Sequence, residues 1–310
     1  MSGRDAKQRD GLGRWALLIS LPLAVFAVLY CAPVAYLLRL SFAVFDTKTG
    51  TGQGFHLDTY AALLRDDYFF LIVWRTIRLS VLTTIACAVL GYPVGMVLAQ
   101  SKGAVRSFLF IVLLMPLMTS VTVTTYGWLI LLGRSGFVNN VLLGAGLIDA
   151  PLRLLQTEPA IVVGLTQILS VFMIISVGAA LQGIDPNLVR AARSLGASPW
   201  SSFWRITFPQ SLPGLRTGCL LVFSLSMSAY ATPGVLGGPR LKFVSFLIYQ
   251  QAVQLLDWPR AASMAVLLLA VTTGLLGLAS AYGQLATWQR GRRARLSLPP
   301  LATPGRQELA

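Results

Sequence analysis

Acidic residues are scarce in this chain. Only 11 of its 310 residues are Asp or Glu, and charged residues of both signs make up 12%, about half the share that soluble globular chains carry. So few charges cannot solvate the surface of an ordinary water-soluble enzyme. A hydrophobic content of 55% and a mean hydropathy of +0.69 exclude a disordered chain as well. Histidine is nearly missing: His56 alone rules out a multi-histidine metal centre. The three cysteines, Cys31, Cys87 and Cys219, all lie inside apolar runs, which argues for small buried side chains and against a disulfide framework. No G-x-x-x-x-G-K-[ST] loop occurs, so the chain has no P-loop of its own for ATP, and H-E-x-x-H, C-x-x-C and G-x-S-x-G are equally absent. The expectation is a protein that is not itself an enzyme and binds no metal or cofactor of its own.

What the chain has instead is length without charge. Six uncharged runs cover Trp15 to Leu38, Leu79 to Ser101, Ser107 to Gly133, Pro159 to Ile184, Thr217 to Pro239 and Ala261 to Gln289. Each exceeds the ~20 residues an α-helix needs to cross ~30 Å of hydrocarbon. A strand barrel would alternate polar and apolar residues in segments of ~10, and no such pattern is present. The first run is too long for the apolar part of a signal peptide and no A-x-A-like site follows it, so it reads as a retained helix. The expected fold class is an all-α membrane protein with six transmembrane helices.

The 25 cations give the chain a formal charge of +14, and their placement explains the excess. With both termini inside, the inside segments hold Arg4, Lys7, Arg9 and Arg14; Lys102 and Arg106; Arg190, Arg193, Arg205 and Arg216; and Arg290, Arg292, Arg293, Arg295 and Arg306. Those fifteen face only Asp5, Asp10, Asp185 and Glu308, whereas the outside segments carry ten cations and seven acids. Basic residues collect on the cytoplasmic side of membrane proteins, so the termini are expected there. The charge is topology rather than a nucleic-acid footprint. The organisation expected is a cytoplasmic segment over residues 1–14, one membrane domain over 15–289 and a basic cytoplasmic tail over 290–310. No internal repeat supports the inverted-repeat design of many secondary transporters.

The connections are unequal. Outside, Ser41 to Arg78 ends in a stretch, Leu57 to Ile77, that reads as a helix lying along the membrane surface. A second outside connection, Arg134 to Glu158, carries Gly136, Asn139-Asn140 and the breaker Pro151. No Asp or Glu lies inside any of the six runs, so a proton relay through buried carboxylates has no candidate. The polar groups there are hydroxyls and rings, including Thr122, Thr125, Tyr126, Trp128, Ser228 and Tyr230. They suit either helix packing or a polar translocation path, and those six are the candidates for the path. Gly91-x-x-x-Gly95 with Pro93 reads as close helix packing and a kink.

The inside connection, residues 183–212, is the most informative. Asp185-Pro186 starts a helix, Leu188, Ala191, Ala192 and Leu195 give it a small apolar face, and Gly196 ends it at a position of positive φ. A second short helix from Pro199 to Ile206 then leads to Pro209. This is either an ordinary interhelical loop or a helix–turn–helix whose small-residue tip docks another protein.

The pattern Ala191-Ala192-x-x-x-Gly196-x9-Ile206-x-x-Pro209 resembles the Glu-Ala-Ala loop of permease subunits of bacterial binding-protein-dependent ABC importers. Further stretches in the same order are Gly91-Tyr92-Pro93, Met115-Pro116-Leu117, Tyr126-Gly127-Trp128, Gly136-x-x-Asn139, Leu236-Gly237-Gly238 and Asp257-Trp258-Pro259. Together they are similar to the spermidine/putrescine permease branch. The resemblance implies a type I ABC importer permease fold, with Arg190, Ala191, Ala192, Leu195, Gly196, Ile206 and Pro209 in coupling helices that dock on a cytoplasmic ABC ATPase dimer. It also implies a homologous second permease subunit, a periplasmic solute-binding protein, ATP and Mg on the partner ATPase, and a polyamine or related amine or amino-acid-like cargo. The alternative is a stand-alone carrier or channel. Two positions depart from the pattern: Arg190 stands where the family has Glu, and Ser228-Ala229-Tyr230 stands where many polyamine permeases carry an acid.

The charge distribution generates a topology test in cells. A cysteine replacing Gly54 is expected to react with a membrane-impermeant thiol reagent added outside, and one replacing Ser297 to be protected until the membrane is opened. The reverse pattern would invert the orientation.

Overall fold

The computed structural model describes the backbone of residues 3–45 and 52–296, and the side chains of residue 20 and of residues 22–43 and 54–281. The terminal cations counted above, and Ser297, lie outside the described side chains. The order of elements is α1 (Gly3–Ser41), a two-residue antiparallel pairing of Val44–Phe45 with Gly52–Gln53, α2 (Asp58–Arg65), α3 (Asp67–Gln100), α4 (Gly103–Met118), α5 (Val121–Leu131), α6 (Phe137–Gly144) and α7 (Glu158–Gln182). There follow α8 (Pro186–Ser194), α9 (Pro199–Ser202), a π-helical turn (Phe203–Thr207), α10 (Phe208–Ser228), α11 (Ala231–Leu236), α12 (Val244–Tyr249), a second π turn (Gln250–Gln254) and α13 (Trp258–Leu296). Among the described residues four helical stretches are long and apolar enough to span a membrane: Pro22–Ser41, Asp67–Gln100, Glu158–Gln182 and Trp258–Ala281. α4 and α5, bent by 93° across Thr119–Ser120, make a fifth if taken as one broken span.

Three of the expected runs are therefore redrawn. The second helix begins at Asp67 rather than Leu79, so the segment expected to lie along the membrane surface is in part the first turns of α3. The charges of Arg75 and Arg78 do not end the helix because both are satisfied: Arg75 Nη1 donates to Arg240 O at 2.8 Å and Arg78 pairs with Glu158. The third run breaks after Pro116, where Thr119 is extended (φ −93°, ψ 140°). The fifth stops at Ser228 and resumes as α11 after Tyr230.

The chain forms two compact units: the described parts of Met1–Leu79, Thr125–Ile161 and Ala229–Leu269, and those of Ser80–Thr124, Val162–Ser228 and Ala270–Ala310. In the first, Leu63 of α2 and Phe69 and Ile72 of α3 bury themselves against Val244 and Leu247 of α12 and Met264 of α13. Thr76 ties this core together, accepting from Val244 N–H at 3.2 Å while donating to Ile72 O at 2.8 Å. Ser263 Oγ lies 2.7 Å from Ser41 O and joins α13 to the end of α1.

The second unit is built on small residues. In lipid, apolar side chains gain little from leaving one environment for another, so helices hold together by close packing. Gly91 and Gly95 of α3 let α7 approach: a Cβ on Gly91 would lie 3.0 Å from Met173 Cγ, and one on Gly95 3.2 Å from Ile174 O. α10 approaches the same stretch of α7. A Cβ on Gly218 would lie 2.7 Å from Met173 Sδ, and one on Gly214 would overlap Ala180 Cβ and the Ser176 carbonyl.

Gly214→Val is expected to force α7 and α10 apart at a cost of about 1–3 kcal/mol, as overpacking does, and to lower the thermal midpoint of the detergent-purified chain. Gly274→Ala, in α13 with nothing within 4 Å of the added carbon, is expected to raise it slightly, since Ala is favoured over Gly inside a helix by about 1 kcal/mol. Equal effects at the two glycines would refute the packing account.

Candidate functional site

The connection between α7 and α10 follows from local sequence chemistry. Asp185 caps α8, its carboxylate accepting from Asn187 N–H at 2.9 Å, and Pro186 occupies the first turn where its missing N–H costs nothing. At the other end Gly196 N–H bonds Arg193 O and Ala197 N–H bonds Ala192 O, both at 3.0 Å, with Gly196 at φ +86°. That pair of bonds is a Schellman motif, and the left-handed residue it requires is the glycine. Ser198 then caps α9 by accepting from Ser201 N–H at 3.2 Å.

The second short helix does not end before Pro209, as the sequence suggested. α9 widens into the π turn and continues into α10 without a break. Phe208 N–H reaches back to Phe203 O, one residue further than in an α-helix. The wider turn accommodates Pro209, which donates no hydrogen bond and whose ring would crowd an α-helical carbonyl. Ile206 lies in the π turn and Pro209 in the first turn of α10.

Apolar residues crown this loop. Leu195 is 89% exposed, Trp200 71% and Leu188 46%, with Ala191 exposed and Ala192 half-buried beside them. Below the tip, Phe203, Trp204 and Phe208 pack ring to ring, and Trp200 joins them. Tyr92 of α3 meets Phe203 edge-on at 5.9 Å and hydrogen-bonds Ser211 Oγ at 2.8 Å. The loop is thus a platform tied to α3 through Tyr92, with Leu195 and much of Trp200 left exposed at its tip.

The candidates for the translocation path separate. Thr125 is fully buried and bonded to Thr232 Oγ1 at 3.1 Å, which is a packing contact. Tyr126 is 54% exposed, Thr122 is exposed and Trp128 half-buried. Ser228 is exposed, its hydroxyl turned back to Leu225 O. Tyr230, in the gap between α10 and α11, stacks on Tyr249 of α12 with ring centroids 5.4 Å apart. Tyr249 lies outside the six uncharged runs, in the half-apolar connection from Gly237 to Arg260.

Residues 91–290 match the family of binding-protein-dependent transport system inner membrane components. The chain belongs to this family. Among its relatives, the spermidine/putrescine transport system permease protein PotB of Escherichia coli K12 is 34% identical over 244 residues, 79% of this chain and 88% of that protein. The inner membrane ABC transporter permease protein YdcU of the same organism is 30% identical over 270 residues, 83% of this chain and 85% of that protein. The fold is that of a chain in the crystal structure of a bacterial alginate ABC transporter with its alginate-pentasaccharide-bound periplasmic protein. The TM-score is 0.68 at 19% identity, covering 90% of this chain and 96% of that one. The platform of α8 and α9 lies within the family's matched segment, and this chain is a multi-pass inner membrane component of a transport system.

Family membership leaves Gly136 and Asn139, which the sequence placed in a loop, to be explained physically. Asn139 sits on α6, fully buried, and its amide closes a long connection: Nδ2 donates to Gly133 O and Leu152 O at 3.0 Å, and Oδ1 accepts from Leu152 N–H at 2.9 Å. Gly136 is required because a Cβ there would overlap the Ile130 and Leu131 carbonyls. Asn139→Leu leaves Leu152 N–H without its acceptor, while Gly133 O keeps Gly136 N–H and Leu152 O keeps Leu154 N–H. An unpaired group costs roughly 1–3 kcal/mol, so the variant is expected to lower the thermal midpoint and to open residues 145–157 to protease before the rest of the chain. Retained protease resistance there would show that the amide is not the clasp.

Proposed function

We propose that this chain is a permease subunit of an ATP-driven importer that works with a homologous second permease subunit, a cytoplasmic ABC ATPase dimer and a periplasmic solute-binding protein. In this reading ATP and Mg reside on the partner ATPase. The cargo is a polyamine or a related amine or amino-acid-like solute, delivered by the binding protein. The chain sits in the bacterial inner membrane with both termini cytoplasmic, residues 15–289 forming the permease domain, 1–14 and 290–310 its cytoplasmic flanks and 183–212 the coupling loop.

The observation that carries this reading is the α8–α9 platform: a Schellman-terminated helix with small residues on its face and an exposed apolar crown, in a chain of this family. Exposed apolar side chains on a charged, water-facing loop mark a protein contact. In this reading Ala191, Ala192, Leu195 and Gly196 supply that contact, with Arg190 beside them on the same helix, while Ile206 and Pro209 join it to α10, so closure of the ATPases would pull on α10 directly. The names of the relatives support an amine cargo. So do the aromatic faces of Tyr126, Trp128 and the Tyr230–Tyr249 stack, which attract cations without placing a charge in the path. Thr122, Thr125 and Ser228 are the remaining candidates for the path.

The discriminating variant is Gly196→Asp. Nothing lies within 4 Å of a Cβ added there, and Asp tolerates positive φ better than most residues, so the isolated permease keeps its fold. In a closed interface the same carboxylate is buried and unpaired, a cost of several kcal/mol. The permease is expected to insert normally yet to lose the ATPase on co-purification and to lose transport, with Ala191→Glu acting alike. Arg190→Glu, which restores the family's residue type, is expected to leave ATPase retention close to wild type. Wild-type retention in Gly196→Asp would remove the coupling role from this loop.

A further inference from the structure

Behind the platform, on the face opposite the apolar crown, the second unit holds a half-open cavity of about 600 Å³. The last turns of α3 and α7 form one wall, with Met96, Gln100, Leu181 and Gln182; α8, α9 and the π turn form the other. Three cations line it, Lys102, Arg190 and Arg193, and no Asp or Glu does. Among the described residues none of these three side chains has an ion-pair or hydrogen-bond partner. Arg106, close by in sequence, is by contrast engaged with Gln182 Oε1 at 2.7 Å. Ser202 also lines the cavity, is 3% exposed, and leaves its hydroxyl buried without a partner.

Three solvent-exposed cations with no acid among them give the cavity a positive rim, and the buried Ser202 hydroxyl inside it lacks a partner. One anion with several oxygens complements both. The apolar part of the lining, Ile184, Val189 and Phe203 among it, adds a requirement that a bare ion does not meet: the ligand should have an apolar portion beside its charge. The cavity also lies where two apolar spanning helices end, the level at which lipid headgroups sit.

We propose that this cavity binds the phosphate group of an anionic phospholipid, with Lys102, Arg190 and Arg193 neutralising it and Ser202 Oγ donating to a phosphate oxygen. Free phosphate shares the headgroup's chemistry, and the apolar lining favours the lipid. The proposal stands apart from the transport reading, because binding is read on the permease chain without ATPase or cargo. Arg190 gives it its specificity. With the family's Glu at that position the cavity would have two cations and an acid, and no preference for an anion.

The test is native mass spectrometry of the full-length chain in neutral detergent, titrated with dioleoyl phosphatidylglycerol or dioleoyl phosphatidylcholine. One phosphatidylglycerol is expected to bind at least about tenfold more tightly than phosphatidylcholine, since each charge-assisted contact is worth roughly a factor of ten. Lys102→Gln with Arg193→Gln should abolish that preference, Ser202→Ala should weaken it severalfold, and Arg205→Gln, outside the cavity, should preserve it. If the double variant does not purify as a single species, Arg190→Glu takes its place with the same expected loss, and Lys102→Arg with Arg193→Lys should retain binding. Equal affinity for the two lipids, or a preference untouched by these variants, overturns the site. Displacement of the lipid by millimolar inorganic phosphate overturns the lipid and assigns the cavity to free phosphate.

Discussion

The second unit depends on how closely α3 and α10 can approach α7. Met173 is wedged between Gly91 and Gly218, and Ser176 lies against both Gly214 and Gly218. At each of these places a side chain on one helix fills space that a glycine leaves open on another. Water supplies no driving force inside a bilayer, so the fit itself is the cohesion. Buried hydroxyls add little to it: Ser80, Thr83, Thr166 and Ser226 are buried without partners, and shape rather than hydrogen bonding sets the spacing.

The platform inherits its position from that packing. Tyr92 follows Gly91 in sequence, so the glycine that brings α3 against α7 also fixes where the tyrosine ring meets Phe203 and Phe208 and where its hydroxyl finds Ser211. A shift of α3 would unseat the aromatic cluster beneath the tip. The π turn serves the same end. It carries α9 into α10 across Pro209, so that α9, the π turn and α10 run on without a break in helical structure.

The sequence revealed some of this and concealed the rest, for identifiable reasons. The α8 start at Asp185-Pro186, its end at Gly196 and the packing role of Gly91 and Gly95 were legible, because capping, positive φ and small-residue spacing are local signals. The ends of the spans were not. Uncharged runs mark helices but not their limits: Arg75 and Arg78 sit inside α3 with partners distant in sequence, which no local window detects. The joints at Thr119–Ser120 and Tyr230 were likewise hidden, since every residue near them is apolar or neutral. Among the path candidates, Thr125 is bonded to Thr232, whereas Tyr230 stacks on Tyr249, a ring of the half-apolar connection that follows the fifth run.

Arg190 links the two faces of the platform. If the crown docks a partner as proposed, a Glu at the family's position would offer that partner an acceptor, which an Arg does not. The surrounding face nonetheless remains small and apolar, so most of its contact area does not depend on the charge. On the inner side the same exchange turns a mixed-charge recess into one lined by three cations and no acid. The cost of gathering those charges falls on α8 itself, because two of the three lie on its turns. An anion seated between α8 and the ends of α3 and α7 would neutralise these charges, and it would brace α8 at its root rather than at its tip.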